Sequence, residues 1–501
     1  MYVLGVDIGT TGTKTMLIGE TGRHEGYAYQ DYPLIALADG GIEQRAQDWW
    51  RTLVSTVREA TSGVAHKEEI KALSLSTQGG SCVLLGDNGL PLDNAHTWMD
   101  KRPDSVLGAF AGMEKHFYRT SGWPLGGAMM AARAVWFQRN RPGIWASARR
   151  YFTTADYASL RLTGRAAIDA TNAAMTQLFD IRSMDWDDAI LSAAGVPRSM
   201  LPDIVSSGNP IGTLTPEAAE DLGLAEGTLV VSGAHDQYAA AVGAGVYEPG
   251  DMMLSGGTAW VLLGITGKLA YDEDDCLCVG NHALPGIFGA LSSIPTAGIG
   301  LEWCRKNFMK TQVQDGVQSL ISYEALNEAA EARIRKDADL FFFPHFGGRG
   351  FPRWAPNSKG SFMGLSLEHD SYDMALAIME GVAYDAAINI EAYAAKGFPC
   401  ERLSLLGGAS KSRLWTDILR HTTGLPLARF READVACFGA AAFAATACGM
   451  FPSVRIAAKA INRCSVELLG EPGGPLREHY AQKYERYKKR LPFVEGFYNT
   501  D

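Results

Sequence analysis

The span from Leu229 to Trp260 holds two of the parts that phosphoryl transfer needs. Asp236 follows the β-type run Leu229–Ser232 and Gly233 and stands at the start of a small-residue helix, where a carboxylate is placed to accept a proton. A second β run, Met252–Leu254, opens into Gly256-Gly257-Thr258, a turn whose bare N–H groups suit an anion. The pair suggests transfer of a phosphoryl group from a nucleotide to a hydroxyl, with a domain boundary near Tyr247 to Gly250. For an isolated aspartate in this setting, capping a helix that starts at Gln237 is the commoner explanation. Its place between two phosphate turns favours the base.

The other turn is Asp7-Ile8-Gly9-Thr10-Thr11-Gly12-Thr13-Lys14, between the β-type runs Tyr2–Asp7 and Thr15–Gly19. Its glycines let the bend close over phosphate oxygens, Thr10 and Thr11 add hydroxyl donors, and Lys14 is grouped with them as a nucleotide contact. Asp7, at the strand end, can hold a hydrated Mg²⁺. The two hairpins stand about half the chain apart, which reads as an internal duplication. Neither GxxxxGK[ST] nor GxGxxG occurs, so the familiar nucleotide loops are excluded. A third candidate is the strand Arg402–Leu406, which ends in GGASKS at a helix start.

For the acceptor, Gln78, Trp98, Asp100 and Arg102 offer hydrogen-bonding groups and an aromatic face, the equipment for a polyhydroxylated ligand; Trp98 as core packing is an equal alternative. His235 and Gln237 flank the base and either touch substrate or support the turn. Arg349 and Arg353, in the loop PHFGGRGFPRWAP, read as solvated.

These residues must be positioned by a chain of 501 residues, 47% hydrophobic and 20% charged, too long for one core, so two domains are expected, 1–247 and 248–501. A net charge of -10 without a basic stripe argues against nucleic acid. Eight scattered cysteines, of which only Cys276 and Cys278 lie close, suit neither a zinc knuckle nor a redox pair, and read as reduced thiols. With no basic, cleavable start and no apolar run of membrane length, the expectation is a cytoplasmic protein, with Phe438 to Phe451 a buried helix. Residues 46–61 have helical spacing and 71–77 and 82–85 are strands. Pro103 to about Asp221 reads as a mainly helical insertion, Met374 to Lys396 as a long amphipathic helix, and Glu478 to Lys489 as a charged helix.

DIGTTGTK, WMDKR, GAHDQYAAAVGAG, LSGGTAW, LLGGASKSRLW and the segment Gly360–Glu380 together resemble the FGGY carbohydrate kinases, over nearly the whole chain. The resemblance implies an α/β fold of two actin-like (ribonuclease H-like) domains with ATP and Mg²⁺ in a cleft that closes on sugar. It carries the general-base role to Asp236, phosphate contacts to Thr10, Thr11, Gly257 and Thr258, adenosine contacts to Gly408, Ala409 and Ser412, and metal support to Asp7, with Asp236 as second metal residue. It also implies that Gln78, Trp98 and Asp100 face the sugar, with Gly79, Gly80 and Gln237 beside them.

Departures bear on the acceptor. Members that phosphorylate ketopentoses usually carry Met-His after the glutamine; here Gly79-Gly80 removes a ring donor and leaves space. The Gln237 that follows Asp236 is similar to that of glycerol-phosphorylating members. The first choice is a terminal hydroxyl of a ketopentose, D-xylulose foremost, with a polyol (glycerol, erythritol) or another ketose as alternatives and a homodimer as one option for assembly. A nucleotide switch without an acceptor, as in actin-type proteins, is the reading from outside the class; it leaves Asp236 and the residues from Gln78 to Arg102 unexplained.

Overall fold

The computed structural model describes residues 1–272, 277–311, 319–334, 339–432 and 434–498, so Cys276 lies outside the described residues. The chain forms two compact units, the first made of residues 1–247, 278–289 and 434–464, the second of 248–277, 290–433 and 465–501.

In the first unit β1 (Tyr2–Ile8) and β2 (Gly12–Gly19) form the hairpin read from DIGTTGTK, and β3 (His24–Asp31) extends it. Helix α1 (Ala46–Ala60) covers one face of this sheet. Its apolar residues Trp49, Leu53 and Val57 recur at helical spacing and join a core with Leu4, Val6 and Ile8 of β1, so burial of one helical stripe on one sheet face holds the layer together. β4 (Ile70–Thr77) pairs in parallel with β1. The stretch from 103 to 221 contains short strands as well as helices. Among its elements are α2 (Ala170–Met175) and β5 (Pro210–Thr213). β6 (Leu229–His235) pairs in parallel with β4 and leads directly into α3 (Asp236–Ala244). The sheet order is β5-β6-β4-β1-β2-β3. Gly233 has to be glycine, because a Cβ there would lie 1.6 Å from the Leu75 carbonyl oxygen, where β6 slips register against β4.

The second unit repeats this plan. β7 (Asp251–Gly256) and β8 (Trp260–Thr266) form an antiparallel hairpin. Helices α4 (Gly298–Phe308) and α5 (Tyr323–Glu331) come next, then α6 (Ser371–Ala395). β9 (Arg402–Leu406) pairs in parallel with β7; after α7 (Arg413–Thr423), β10 (Leu427–Phe430) pairs in parallel with β9. A hairpin, two parallel strands and an antiparallel edge strand thus occur in both units, which is the duplication expected from the two hairpin motifs. Helix α6 is not the amphipathic helix its sequence suggested: Leu376, Ile378, Met379, Val382, Tyr384 and Asn389 point in different directions around the helix and all are buried.

The division of the chain also differs from a single cut after Tyr247. Residues 278–289 and α8 (Val435–Ala447) pack with the first unit. The reason is close packing of small residues. A Cβ on Gly439 would lie 1.9 Å from the Ala239 carbonyl oxygen, one on Gly243 2.2 Å from that of Val435, and one on Gly5 2.0 Å from that of Cys437. Only glycines let α8 lie this near α3 and β1. β11 (Val466–Leu469) then completes the second sheet against β10, and α9 (Pro475–Tyr498) ends the described chain. No helix among the described residues is long and apolar enough to cross a membrane.

Candidate active site

Three parallel strands of the first unit, β1, β4 and β6, deliver Asp7, Gln78 and Asp236 at their carboxyl ends, where open α/β sheets place ligands. The bend after β1 is held from behind. Tyr32 donates its hydroxyl to the Gly9 carbonyl, and the Gln44 amide donates to the Thr10 carbonyl at 2.5 Å. With its carbonyls drawn inward, the bend offers amides and the hydroxyls of Thr10 and Thr11; Thr11 is exposed.

Trp98 is not core. Its side chain is half exposed, and its indole N–H donates to Thr10 Oγ1 at 3.0 Å, which ties the Trp98 segment to the bend after β1. Gln44 makes a second tie, since its Oε1 accepts from Gln78 Nε2 at 2.9 Å and from Trp49 Nε1 at 3.0 Å. Gln78 Oε1 accepts from Ser81. Gln78 and Asp100 are therefore enclosed rather than open. Asp100 accepts from the Arg102 guanidinium, which also reaches Glu43 at 2.7 Å, and it lies 3.2 Å from His96. Burial, with Arg133 and Arg102 nearby, pushes the His96 pKa well below its ordinary value, so this imidazole is neutral. The carboxylate–guanidinium cluster fixes the Trp98 loop from beneath. Arg133, fully buried, donates to the carbonyls of Gly80, His96 and Thr97, holding the other side of the same loop.

Asp236 opens α3, and no side chain caps that helix, so the capping alternative is not what the structure has. Its Oδ1 lacks a hydrogen-bond partner and lies 3.1 Å from His235 Nε2, while Gln237 Oε1 is also unpaired. Asp7 is almost wholly buried. It accepts from Ser76 at 2.7 Å and has Lys14 at 3.7 Å. Burial raises its pKa to about 6 against the attraction of Lys14, and the charge of Asp236 pushes in the same direction as burial. Two carboxylates that feel each other at the ends of β1 and β6, the strands on either side of β4, are a fit for a cation. No group of three or more His, Cys, Asp or Glu side chains that could hold a metal exists among the described residues. Mg²⁺ does not require one, because it keeps water and phosphate oxygens around one or two carboxylates. Lys14, read as a nucleotide contact, is engaged with Asp7 and with Asp434 at 2.9 Å, and Tyr27 donates to Asp434. Burial alone lowers an ammonium pKa; here the two carboxylates outweigh it and Lys14 stays charged.

The second unit brings together Gly257, Thr258, Gly408, Ala409 and Ser412, all of which line one cavity of about 770 Å³. A volume of this size suits a nucleotide-sized ligand. Gly298 and Ile299, at the N-terminus of α4, join the lining, and the Ile299 N–H donates to the Thr258 carbonyl. That bond, with the Gly257 amide bonded to the Ala259 carbonyl, fixes the Gly256–Thr258 bend against the helix end at the same space. A Cβ on Gly256 would fall 2.5 Å from that of Ala409, so the hairpin and the turn after β9 touch because both are small. Ser412 caps α7 and donates to Asn327, a lining residue on α5. Asn327, like Gln44 and Asp434, was not singled out in the sequence; each reaches the site from far along the chain. The two units use one position differently: β4 runs on into Gln78-Gly79-Gly80, and β9 into Gly407-Gly408-Ala409. Arg349 is not solvated. It is buried between Glu495 at 2.6 Å and Asp385 at 3.2 Å, whereas Arg353 is exposed.

A duplicated α/β fold with a glycine–threonine bend in each unit, a partly exposed aspartate at a strand-to-helix switch and a polar loop around Trp98 fits a phosphotransferase of the sugar-kinase class. The chain belongs to the FGGY family of carbohydrate kinases: the model of its N-terminal domain matches residues 2–243 and that of its C-terminal domain residues 252–448. It is 28% identical over 500 residues to the xylulose kinase of Escherichia coli, covering 99% of this chain and 98% of the relative. It is 26% identical over 460 residues to the gluconokinase of Bacillus subtilis, covering 90% and 88%. A crystal structure of a "xyloylose kinase" from Brucella ovis is similar with a TM-score of 0.89 at 25% identity, covering 99% of this chain and 100% of that one.

Proposed function

We propose that this kinase transfers the γ-phosphoryl group of ATP to a terminal hydroxyl of a ketopentose, D-xylulose foremost. The observation that carries the reading is the bond from Trp98 Nε1 to Thr10 Oγ1, which fastens the aromatic Trp98 loop to the glycine–threonine bend after Asp7, a carboxyl that feels the charge of Asp236. Asp236 is the general base. Its partly exposed carboxylate accepts the proton of the attacking hydroxyl, and with a loose transition state orientation matters more than a raised pKa. Trp98 and Gln237 position the acceptor, while Gln78 and Asp100 set the loop that does so. Thr10 and Thr11 receive the phosphoryl oxygens. The second unit's cavity takes the nucleotide through Gly257, Thr258, Gly408, Ala409 and Ser412. Asp7 and Asp236 would hold Mg²⁺, which when bound supplies charge neutralisation on the phosphate oxygens.

A panel of acceptors with ADP release as readout tests this: D-xylulose and other ketopentoses, ketohexoses, gluconate, glycerol and erythritol. The ketopentose reading requires the highest kcat/KM with D-xylulose. A polyol in first place would replace it with the same chemistry on another acceptor, and slow hydrolysis indifferent to every acceptor would favour a nucleotide switch.

A further inference from the structure

Gly79 and Gly80 leave no hole. A Cβ on Gly79 would lie 2.1 Å from Sδ and 2.8 Å from Cε of Met175, and 2.6 Å from Cδ2 of His235. At Gly80, where φ is +71°, a Cβ would sit 3.2 Å from the Cβ of Trp98 and 3.9 Å from Met175 Cε. The Met175 thioether therefore fills the volume that a side chain at position 79 would claim. It does so between the imidazole next to Asp236 and the loop of Trp98.

Met175 is held there by several independent bonds. It is the last residue of α2, a short helix capped by Asp169, which accepts from the amides of Thr171 and Asn172. The helix is fastened to both neighbouring strand ends: Thr171 Oγ1 accepts from the His235 amide at 2.8 Å, and Thr77 Oγ1 bonds to Asn172 at 3.3 Å. Beyond Met175 the backbone turns through Gln177 at φ +59°, whose buried amide donates to the carbonyls of Trp123 and Pro124. A non-glycine residue in that region is held by its surroundings. Such over-determination delivers a flexible, apolar side chain to one fixed place.

We propose that Met175 is a specificity-determining residue, an apolar stop that replaces a side chain at position 79 and limits the length of the acceptor. The inference rests on the kinase reading above. In that site a thioether offers no hydrogen bond and occupies depth, so acceptors with five carbons or fewer fit and a sixth carbon meets Sδ and Cε.

The test compares the parent enzyme with Met175→Ala, Gly79→Ala and the double variant. It measures kcat/KM for ketopentoses and ketohexoses, with the KM for ATP as the internal reference. In Met175→Ala the ketohexose/ketopentose ratio should rise by about tenfold or more, the scale of one or two methylenes in an apolar pocket. Gly79→Ala alone should raise the acceptor KM and leave the ATP KM unchanged; adding Met175→Ala should bring the acceptor KM part of the way back toward the parent value, because the two Met175 atoms are gone and only His235 Cδ2 is still met. A merely structural methionine would lower activity on both sugars together and give no rescue. Should Met175→Ala not fold, Gly79→Ala still decides: an unaltered acceptor KM overturns the inference. A Met175→Ala ratio within about twofold of the parent, or a double variant no better than Gly79→Ala, likewise overturns it on the scale of pocket effects. A parent that phosphorylates no acceptor sinks the kinase reading first, and this inference with it.

Discussion

Asp7→Asn should make the metal-free, nucleotide-free protein more stable at neutral pH while removing activity. The Asp7 carboxyl is buried behind the phosphate bend, and its pKa is raised from 3.8 to about 6, chiefly by burial. A carboxyl with a raised native pKa binds its proton more tightly folded than unfolded. Its charged form therefore weakens the fold, and the cost is absent below about pH 4, develops as pH rises through 4 to 6, and is complete above that. At about 1.4 kcal/mol per pH unit, the rise to about 6 corresponds to about 3 kcal/mol. An asparagine of the same shape can still accept from Ser76, and Lys14 keeps Asp434 at 2.9 Å. Melting curves in EDTA from pH 4 to 8 should show parent and variant together at pH 4. By pH 7 the variant should melt several degrees higher, since 1 kcal/mol is worth about 2–4 °C in domains of this size. Turnover with Mg²⁺ and ATP should fall, because the carboxylate that would hold the metal is gone. A variant that melts below the parent at pH 7, or a gap of the same size at every pH, would refute the reasoning.

Gly298→Ala would place a Cβ 2.3 Å from the Gly257 carbonyl oxygen and push the second bend away from the α4 N-terminus. The ATP KM should rise about tenfold or more while the acceptor KM holds, given the usual cost of an ångström of misplacement; steady-state kinetics in both substrates checks it. Arg349→Ala strands Asp385 and Glu495 in the interior, so the protein should lose about 3–5 kcal/mol in denaturant unfolding with both KM values retained. Trp98→Phe keeps the ring but removes the donor to Thr10, and should raise the acceptor KM several-fold, with loss of one hydrogen bond worth about 1 kcal/mol.

How much of this was legible depended on whether the signal was local. The bend after β1 and the Gly256–Thr258 turn announce themselves through glycine and threonine between apolar runs, and Asp236 through the switch from strand to helix. That Gly257 and Gly408 would meet at one cavity was legible for the same reason, since both come after recognisable strands. Met175 was not. Nothing in its own segment marks it, and only the chain's return over Gly79 gives it a role. Asp434 and Gln44 bond to groups far away in sequence and carry no motif of their own. Arg349 looked solvated in a loop of glycine and proline, but α6 and α9 supply the carboxylates that bury it. α8 was correctly read as a buried helix, yet its attachment to the first unit depends on glycines at 5, 243 and 439 meeting in space.

In the proposed mechanism Asp236 takes the proton of the acceptor hydroxyl. Asp236→Asn keeps the shape and the helix start and removes only the basic oxygen. Steady-state ADP release with D-xylulose, or with whichever acceptor the panel ranks first, should show kcat lower by about 10² to 10⁴ and both KM values within a few-fold of the parent. A kcat close to the parent's would contradict the account.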